Sequence, residues 1–411
     1  MKEHPRDSGG DRLAIDGGTP VRTAPFPPWP VFAPDEIEAV ERVVRSGKVN
    51  YWTGTEGQEF EKEFAAFTGT RHAVALANGT VALELALFAL GIGPGDEVIV
   101  PCRTFIATAS CAVMRGARPV VVDIDPDSQN VTAATIEPAI TPATKAVIVV
   151  HLAGWPCNMT EIMALADRHG LKVIEDCAQA LGARWQGRPV GSWGHAAAFS
   201  FCQDKILTTL GEGGMLVTND TAVWERAWQF KDHGKSHDAM FHRQHPPGFR
   251  WVHEGFGTNW RMLEVQSAQG RVALRKIPAW VDHRRRAAAF LNEALADLPA
   301  LRLTLPPADA FHAYYKYYAF LRPERLQPGW TRDRIQAAIA AEGIPCLAGS
   351  CGDISRELAF RSRGWGPAYP LVAAPRLFDT SLMFLVHPSD DATVPGHTQA
   401  AIRRVLAAAA C

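Results

Sequence analysis

Short runs of Val, Ile and Ala alternate with longer amphipathic segments between residues 72 and 177, and this alternation is the strongest constraint on the fold. The runs include EVIVP (97–101), PVVVDI (119–124) and KAVIVV (145–150). Continuous apolar runs separated by helical segments of ten or more residues are typical of a parallel sheet that is covered on both faces. The sequence therefore predicts an α/β fold with a mostly parallel sheet.

The sequence changes character after the last of these strand-like runs. A long helical pattern covers about 259–297 and leads into a mixed region with both helix-like and strand-like segments. We predict an N-terminal extension (1–30), a large α/β domain (31–260), and a linking helix with a smaller C-terminal α+β domain (261–411).

Charge and hydropathy exclude several classes of function. The 42 Lys and Arg residues nearly balance the 43 Asp and Glu residues, so we expect neither a nucleic acid nor a membrane surface as partner. The polar N-terminus has no signal-peptide core, and the apolar runs are far shorter than the roughly 20 residues that cross a bilayer. The eight cysteines contain no CxxC pair and form no disulfide framework. We expect a cytoplasmic protein without a metal site.

Four features stand at the carboxyl ends of predicted strands, where ligands of open α/β sheets gather. Gly79 and Thr80 begin a helix whose free amide groups favour an anion such as phosphate. Asp176 could hold a protonated heterocyclic nitrogen, Phe105 could stack on a flat ring, and Lys205 could react with an aldehyde. Each feature alone has a commoner structural explanation: a capped turn, a surface carboxylate, core packing and a lysine that extends to solvent. Together they describe a site for pyridoxal phosphate, whose protein partners are a lysine and an acidic residue.

An ordered set of motifs resembles the DegT/DnrJ/StrS-type aminotransferases, the sugar aminotransferase group of fold-type-I pyridoxal phosphate enzymes. From about Phe26 to the end of the chain, the motifs occur in the family's order: NGTVALELAL, VPCRTFIATA, VVDIDPDSQN, VVHLAGWPCNM, VIEDCAQALGA, FSFCQDKILTTLGEGGMLVTND, KDHG and GTNWRM. The resemblance implies an aspartate-aminotransferase-like large domain with a mostly parallel sheet and a smaller C-terminal α+β domain.

The resemblance also implies roles for individual residues. Lys205 would form the Schiff base with the cofactor and carry the proton during transamination, and Asp176 would pair with the pyridine nitrogen. Gln179 would contact the ring hydroxyl, and Phe105 would stack on the ring. The phosphate would be held within the subunit by Gly79, Thr80 and Ser200. Asn259 is expected to reach the phosphate of the neighbouring subunit, which implies a homodimer with shared active sites.

The predicted reaction transfers an amino group from glutamate or glutamine to a keto-sugar, with a nucleotide-linked keto-hexose favoured, in amino-sugar, polysaccharide or antibiotic biosynthesis. A keto-cyclitol of the scyllo-inosose type, or an aminohydroxybenzoate synthase-like reaction, is the alternative, because IDGGTPVR and FPPWP resemble members of those groups. A non-catalytic ligand-binding or regulatory protein on the same fold is a third hypothesis. By chain position, four side chains are candidate substrate contacts, although a structural role is as common for a histidine: Trp52, His151, His233 and His312.

Three positions depart from the commonest family pattern. Cys202 stands where many members have His, and Asn158 replaces a frequent Asp. Leu210 lengthens the interval between Thr-Thr and Glu-Gly-Gly by one residue, so we expect the loop to differ there. Some relatives have His in place of the lysine and act as sugar dehydratases, and the presence of Lys205 therefore favours transamination.

Overall fold

Helices and strands alternate along most of the chain, in a computed structural model that describes residues 12–389 and 391–411. The strands are β1 (His72–Leu76), β2 (Glu97–Pro101), β3 (Arg118–Val122), β4 (Thr144–Val150), β5 (Lys172–Asp176), β6 (Arg184–Trp185), β7 (Arg188–Pro189), β8 (Ala196–Ser200), β9 (Gly214–Thr218), β10 (Leu301–Leu303), β11 (Ala310–Phe311), β12 (Tyr317–Leu321), β13 (Cys346–Leu347) and β14 (Ser381–Phe384). The helices are α1 (Pro34–Ser46), α2 (Glu56–Thr68), α3 (Gly79–Ala89), α4 (Ala107–Met114), α5 (Ala133–Ile136), α6 (Met159–His169), α7 (Thr221–Lys231), α8 (His237–Phe241), α9 (Glu264–Leu295), α10 (Arg332–Ala341), α11 (Leu358–Arg361), α12 (Ala373–Thr380) and α13 (Val394–Ala409). Within the described residues, no helix has both the length and the apolar character that crossing a membrane requires.

The large sheet has seven strands in the order β1-β9-β8-β5-β4-β2-β3. Strands β8, β5, β4, β2 and β3 are parallel, whereas β9 runs antiparallel to both of its neighbours. The apolar residues of the central strands are buried because helices cover both faces of the sheet. The predicted mostly parallel α/β sheet is confirmed.

A second, antiparallel sheet lies in the C-terminal part of the chain, in the order β10-β12-β14-β13. Its core includes Tyr317, Leu321 and Phe384, which pack with residues of α10, α13 and the end of α9. Strands β6 and β7 form a small hairpin that pairs with β11. The two main sheets thus fall on either side of the predicted boundary at residue 260, and the three-part division stays our proposal.

The described part of the N-terminal extension packs against the C-terminal domain. Leu13 belongs to the same apolar cluster as β12 and β14. The buried carboxylate of Glu342 accepts the backbone N–H groups of Ala14 and Val21, at 2.9 and 3.0 Å. Further along, the Trp29 indole N–H donates to the carbonyl oxygen of Lys205 at 3.0 Å. Of the predicted extension 1–30, residues 1–11 lie outside the described part of the chain.

Candidate active site

A cavity of about 600 Å³ at the carboxyl ends of the parallel strands collects most of the predicted cofactor contacts. The register explains this, because Asp176 at the end of β5 pairs with Val150 of β4 and Ala198 of β8. The predicted contacts that line the cavity are Gly79, Thr80, Phe105, Asp176, Gln179, Ser200 and Lys205. Asn259 is exposed and lies outside the cavity of its own subunit, and its contact with a neighbouring subunit stays a prediction.

The N-terminus of α3 forms one wall of the cavity. Asn78 caps the helix, since its side-chain oxygen accepts the Val81 N–H at 3.0 Å. Gly79 is required by close packing, because a Cβ atom at this position would stand 2.6 Å from the Cβ of Ser200. The helix start, the Thr80 side chain and the Ser200 hydroxyl therefore surround one place where an anion can bind.

Asp176 is a buried carboxylate held in a fixed orientation. Its Oδ1 accepts the Ala178 N–H at 3.1 Å, and its Oδ2 accepts the Thr108 hydroxyl at 2.9 Å. Thr108 is in turn 2.7 Å from the hydroxyl of Thr104. Burial raises the pKa of Asp176, while these hydrogen bonds and the charge of Lys205 oppose the rise. A cation placed in the cavity would stabilise the ionised carboxylate.

Lys205 also lines the cavity, in the loop that follows β8. Its Nζ lies 5.2 Å from the centre of the Tyr315 ring and 4.0 Å from Oδ1 of Asp204. Its backbone is fixed at both ends, because the N–H donates to the Cys202 carbonyl at 3.1 Å and the carbonyl accepts the Trp29 indole. The side chain is 18% exposed, which leaves the amine accessible from the cavity that it lines.

Phe105 and Gln179 complete the predicted ring contacts. Phe105 follows β2 and is 63% exposed, which is unusual for a large apolar side chain and consistent with a surface that covers a ligand. Gln179 is buried, and its Oε1 accepts the Ala153 N–H at 2.8 Å while its Nε2 lies 3.6 Å from the Cys351 sulfur. Several further residues of the cavity wall were not predicted from the sequence: Thr104, Thr108, Asp204, Tyr315, Ser350 and Cys351.

None of the four candidate substrate contacts lies in the lining of this cavity. His312 is buried, its Nδ1 accepts the Tyr314 N–H at 2.8 Å, and its ring stacks on Tyr314. Burial, with the charge of Arg285, lowers the pKa of His312 to about 3. Trp52 is half-buried and covered by the ammonium group of Lys235 at 4.3 Å, and His233 is exposed.

His151 is fully buried together with Glu175, which precedes Asp176 on β5. The Nδ1 of His151 accepts the Cys157 N–H, and its Nε2 is 3.0 Å from a carboxylate oxygen of Glu175. The same carboxylate accepts three backbone N–H groups of the 191–194 turn, at 2.7 to 2.8 Å. These contacts give His151 the structural role that we considered as the alternative to substrate binding.

The three departures from the family pattern have separate places in the structure. Cys202 lines the cavity, and Asn158 caps α6 by accepting the Glu161 N–H at 3.3 Å. Leu210 adopts a left-handed conformation with φ at 61° and is 42% exposed. A β-branched or bulky residue is strained in this region, which favours glycine. The additional residue is thus accommodated by a tight turn in the loop after Lys205.

Comparisons with known proteins identify the family of this chain. The family model described as the DegT/DnrJ/EryC1/StrS aminotransferase family matches residues 31–354. A UDP-N-acetyl-3-dehydro-alpha-D-glucosamine 3-aminotransferase of Acidithiobacillus ferrooxidans is 44% identical over 71% of this chain and 73% of its own length. An L-glutamine:2-deoxy-scyllo-inosose aminotransferase of Streptoalloteichus tenebrarius is 41% identical over 81% of this chain and 80% of its own length. The solved structure of an aminotransferase from Psychrobacter cryohalolentis is 49% identical, with a TM-score of 0.92, and covers 93% of this chain and 99% of its own.

Proposed function

This chain belongs to the DegT/DnrJ/EryC1/StrS family of aminotransferases, and we propose that it transfers an amino group from glutamine or glutamate to a nucleotide-linked keto-sugar, with pyridoxal phosphate as its cofactor. The observation that carries the proposal is the single cavity that joins Lys205, Asp176 and the N-terminus of α3. The names of two relatives support the substrate class, since one acts on a UDP-linked dehydro-sugar and the other uses glutamine as donor.

The residues of the cavity fit pyridoxal phosphate in three respects. The close approach of Gly79 to Ser200 leaves the helix start and a hydroxyl group around one anion position. Asp176 is a buried carboxylate that a cationic ring nitrogen would stabilise. Lys205 offers an amine on the cavity wall. The cofactor, when bound, supplies an aldehyde and a ring that withdraws electrons from the carbon that loses its proton.

The residues of this chain would then divide the work of transamination. Asp176, oriented by Thr108, would hold the proton on the ring nitrogen. The Nζ of Lys205 would take the proton from the α-carbon of the donor and then give it to the carbon that is protonated in the next step of the amino transfer. Phe105 would cover one face of the ring and exclude water from it. Gln179 would orient the ring through its amide group, because its carbonyl oxygen is already fixed by a backbone N–H.

A homodimer forms part of this proposal. The resemblance to the family supports it, and so does the position of Asn259, which is exposed and outside the cavity of its own subunit. In the dimer, Asn259 would reach the phosphate bound by the neighbouring subunit.

A keto-cyclitol is the second candidate substrate. The specific observation in its favour is the relative that acts on 2-deoxy-scyllo-inosose, which matches a larger share of this chain than the relative that acts on the UDP-linked sugar, 81% against 71%. Both candidates present a ketone on a hydroxylated six-membered ring, so the same amino transfer would serve either.

Absorbance of the purified protein tests the proposal. We expect a visible band after loading with pyridoxal phosphate, and loss of the band when glutamine or glutamate is added. Protein loaded with pyridoxamine phosphate is then offered a UDP-linked keto-sugar or scyllo-inosose, and return of the band identifies the substrate class.

Lys205→Ala should abolish both the turnover and the covalent attachment of the cofactor, because the variant lacks the amine that would react with the aldehyde. Lys145→Ala is the matched control, since Lys145 is exposed and is not part of the cavity lining. A colourless wild-type protein that takes up no pyridoxal phosphate would contradict the proposal, and normal turnover by Lys205→Ala would contradict the assignment of the lysine.

A further inference from the structure

A second lysine shares the carboxylate beside Lys205. The Nζ of Lys205 is 4.0 Å from Oδ1 of Asp204, and the Nζ of Lys316 is 3.7 Å from Oδ2 of the same group. The Tyr315 hydroxyl donates a short hydrogen bond to Oδ2. The Tyr315 ring centre lies 5.2 Å from the Lys205 amine and 4.5 Å from the Lys316 amine. We call these four residues the Asp204 cluster.

The Asp204 cluster lies at the boundary between the cavity and the protein interior. The side chains of Lys205 and Lys316 are 18% and 11% exposed, and that of Asp204 is 55% exposed and lines the cavity. Burial lowers the pKa of Lys316 to about 8, against the opposing effect of Asp204. Burial acts to raise the pKa of Asp204, but Lys205, the Tyr315 hydroxyl and Lys316 together keep it below its usual value.

Other titratable and charged groups lie around Lys205 and Lys316. Asp176 on β5 is hydrogen-bonded to Thr108 and, in the proposed function, to the cofactor. Burial raises the pKa of Cys351, which keeps this thiol neutral. Arg284 of α9 faces Lys316 and adds positive charge behind it. The remaining titratable residues of the cavity lining are Cys202 and Glu212.

We infer that Asp204 and Lys316 are opposed positioning residues for Lys205, in which Asp204 favours the cationic form of its amine and Lys316 limits that preference. The physical basis is that an opposite charge within about 4–6 Å favours the charged form of a group, whereas a like charge disfavours it. The inference rests on the proposed function, because it concerns the step in which Lys205 must hold a proton and then release it.

The opposition matters because a proton carrier works best when its pKa is near the working pH. If Lys316 were neutral, the charge of Asp204 would act on Lys205 unopposed and favour the cation. If Asp204 were neutral, the charge of Lys316 would act unopposed and favour the neutral amine. The carboxylate that the two lysines share thus balances two opposing effects on the protonation of the Lys205 amine.

The test is the pH dependence of the rate at which the cofactor-free protein captures pyridoxal phosphate, followed by the visible band, because only the neutral amine of Lys205 attacks the aldehyde. The midpoint of this pH profile reports the protonation of the Lys205 amine without turnover. Asp204→Asn should lower the midpoint by about one pH unit. Lys316→Met should raise the midpoint by at least about half a unit, because Asp204 is then no longer neutralised. The double variant should lie between the two. Asp379→Asn and Lys145→Met, both exposed and outside the cavity lining, should leave the midpoint unchanged.

Shifts in opposite directions are the signature of the inference, since general damage to the fold would move both variants alike. The inference is overturned if both midpoints move the same way, or if neither moves. It is also overturned if Asp204→Asn leaves the midpoint in place and raises only the KM for the amino donor, which would make Asp204 a substrate contact. Lys316→Gln replaces Lys316→Met if the latter does not fold. Failure of the wild-type protein to take up pyridoxal phosphate would instead reject the proposed function, and the inference with it.

Discussion

Glu175→Gln should destabilise the protein strongly, because the fully buried carboxylate is the shared acceptor of four donors. Its Oε1 accepts two backbone N–H groups of the 191–194 turn, at 2.8 and 2.7 Å, and its Oε2 accepts a third at 2.8 Å. The fourth donor is Nε2 of His151, at 3.0 Å. His151 must donate there because its other ring nitrogen accepts the Cys157 N–H.

The magnitude follows from the number of donors on each oxygen. The amide nitrogen of Gln donates and cannot accept, so either orientation of the new side chain places an NH₂ group against two donors. A buried donor left without an acceptor costs about 1–3 kcal/mol, and two of them cost about 2–6 kcal/mol. That loss is a large part of the roughly 5–15 kcal/mol by which native domains are stable.

Denaturant unfolding of the cofactor-free protein at pH 7, followed by circular dichroism, measures this free energy. Glu137→Gln is the control, because Glu137 forms an exposed ion pair with Arg168 and should contribute less than about 1 kcal/mol. A loss below about 1 kcal/mol for Glu175→Gln would refute the reasoning, since it would mean that the 191–194 turn finds other acceptors without difficulty.

Three further predictions concern the cavity and the loop after Lys205. Asp176→Asn should weaken the binding of pyridoxal phosphate about 10- to 100-fold in a spectroscopic titration, through loss of a charge-assisted hydrogen bond. Burial raises the folded-state pKa of Asp176 above its ordinary 3.8, so its stabilising contribution is complete below pH 3.8 and is lost as the pH rises through the folded-state pKa. The cofactor-free Asp176→Asn variant should therefore have a higher thermal stability than the wild type at pH 7 and lose this advantage toward pH 4. A variant that is less stable than the wild type at pH 7 would contradict this. Leu210→Gly should stabilise the protein by about 0.5–1 kcal/mol in denaturant unfolding, because relief of a left-handed Leu exceeds the entropic cost of Gly. Leu305→Gly, at an exposed loop position without a positive φ, is the control and should destabilise, and a destabilised Leu210→Gly would show that the turn needs the side chain.

The parallel part of the large sheet could be predicted from sequence because a fully covered strand needs apolar residues at every position. Residues 98–100 of β2 and 146–150 of β4 have this pattern, and helices follow both strands. The antiparallel direction of β9 could not be predicted in the same way. A buried strand of either direction reads as a short apolar run. The connection of residues 201–213 to β9 contains no helix, but neither does the connection of residues 177–195 to the parallel strand β8, so the connections do not reveal the direction. The pairing of β6 with β11 depends on distant residues that carry no local signal.

The strand-end residues of the site were also predictable, whereas the residues that reach it from the C-terminal domain were not. Asp176 ends β5 and Lys205 lies in the loop after β8, and ligand sites of α/β sheets lie at such strand ends. Tyr315 and Cys351 approach the cavity through domain packing, which no spacing in the sequence records. His151 also follows a strand, but its side chain is buried in the core. The sequence pattern at the end of a strand does not show whether a side chain points into the core or into the cavity.

The contacts of Lys205 have a consequence for the order of folding. Trp29 fixes the Lys205 carbonyl across 176 positions of the chain, and Tyr315 bonds to Asp204 across 111. Contacts between such distant segments form late, because the entropy of closing a long loop is lost before the contact can repay it. The sheet that carries Asp176 can assemble from neighbouring segments, but the surroundings of the lysine require both the N-terminal segment and the C-terminal domain. Competence to capture a cofactor is therefore an endpoint of folding, reached only after nearly the whole chain has been synthesised and packed.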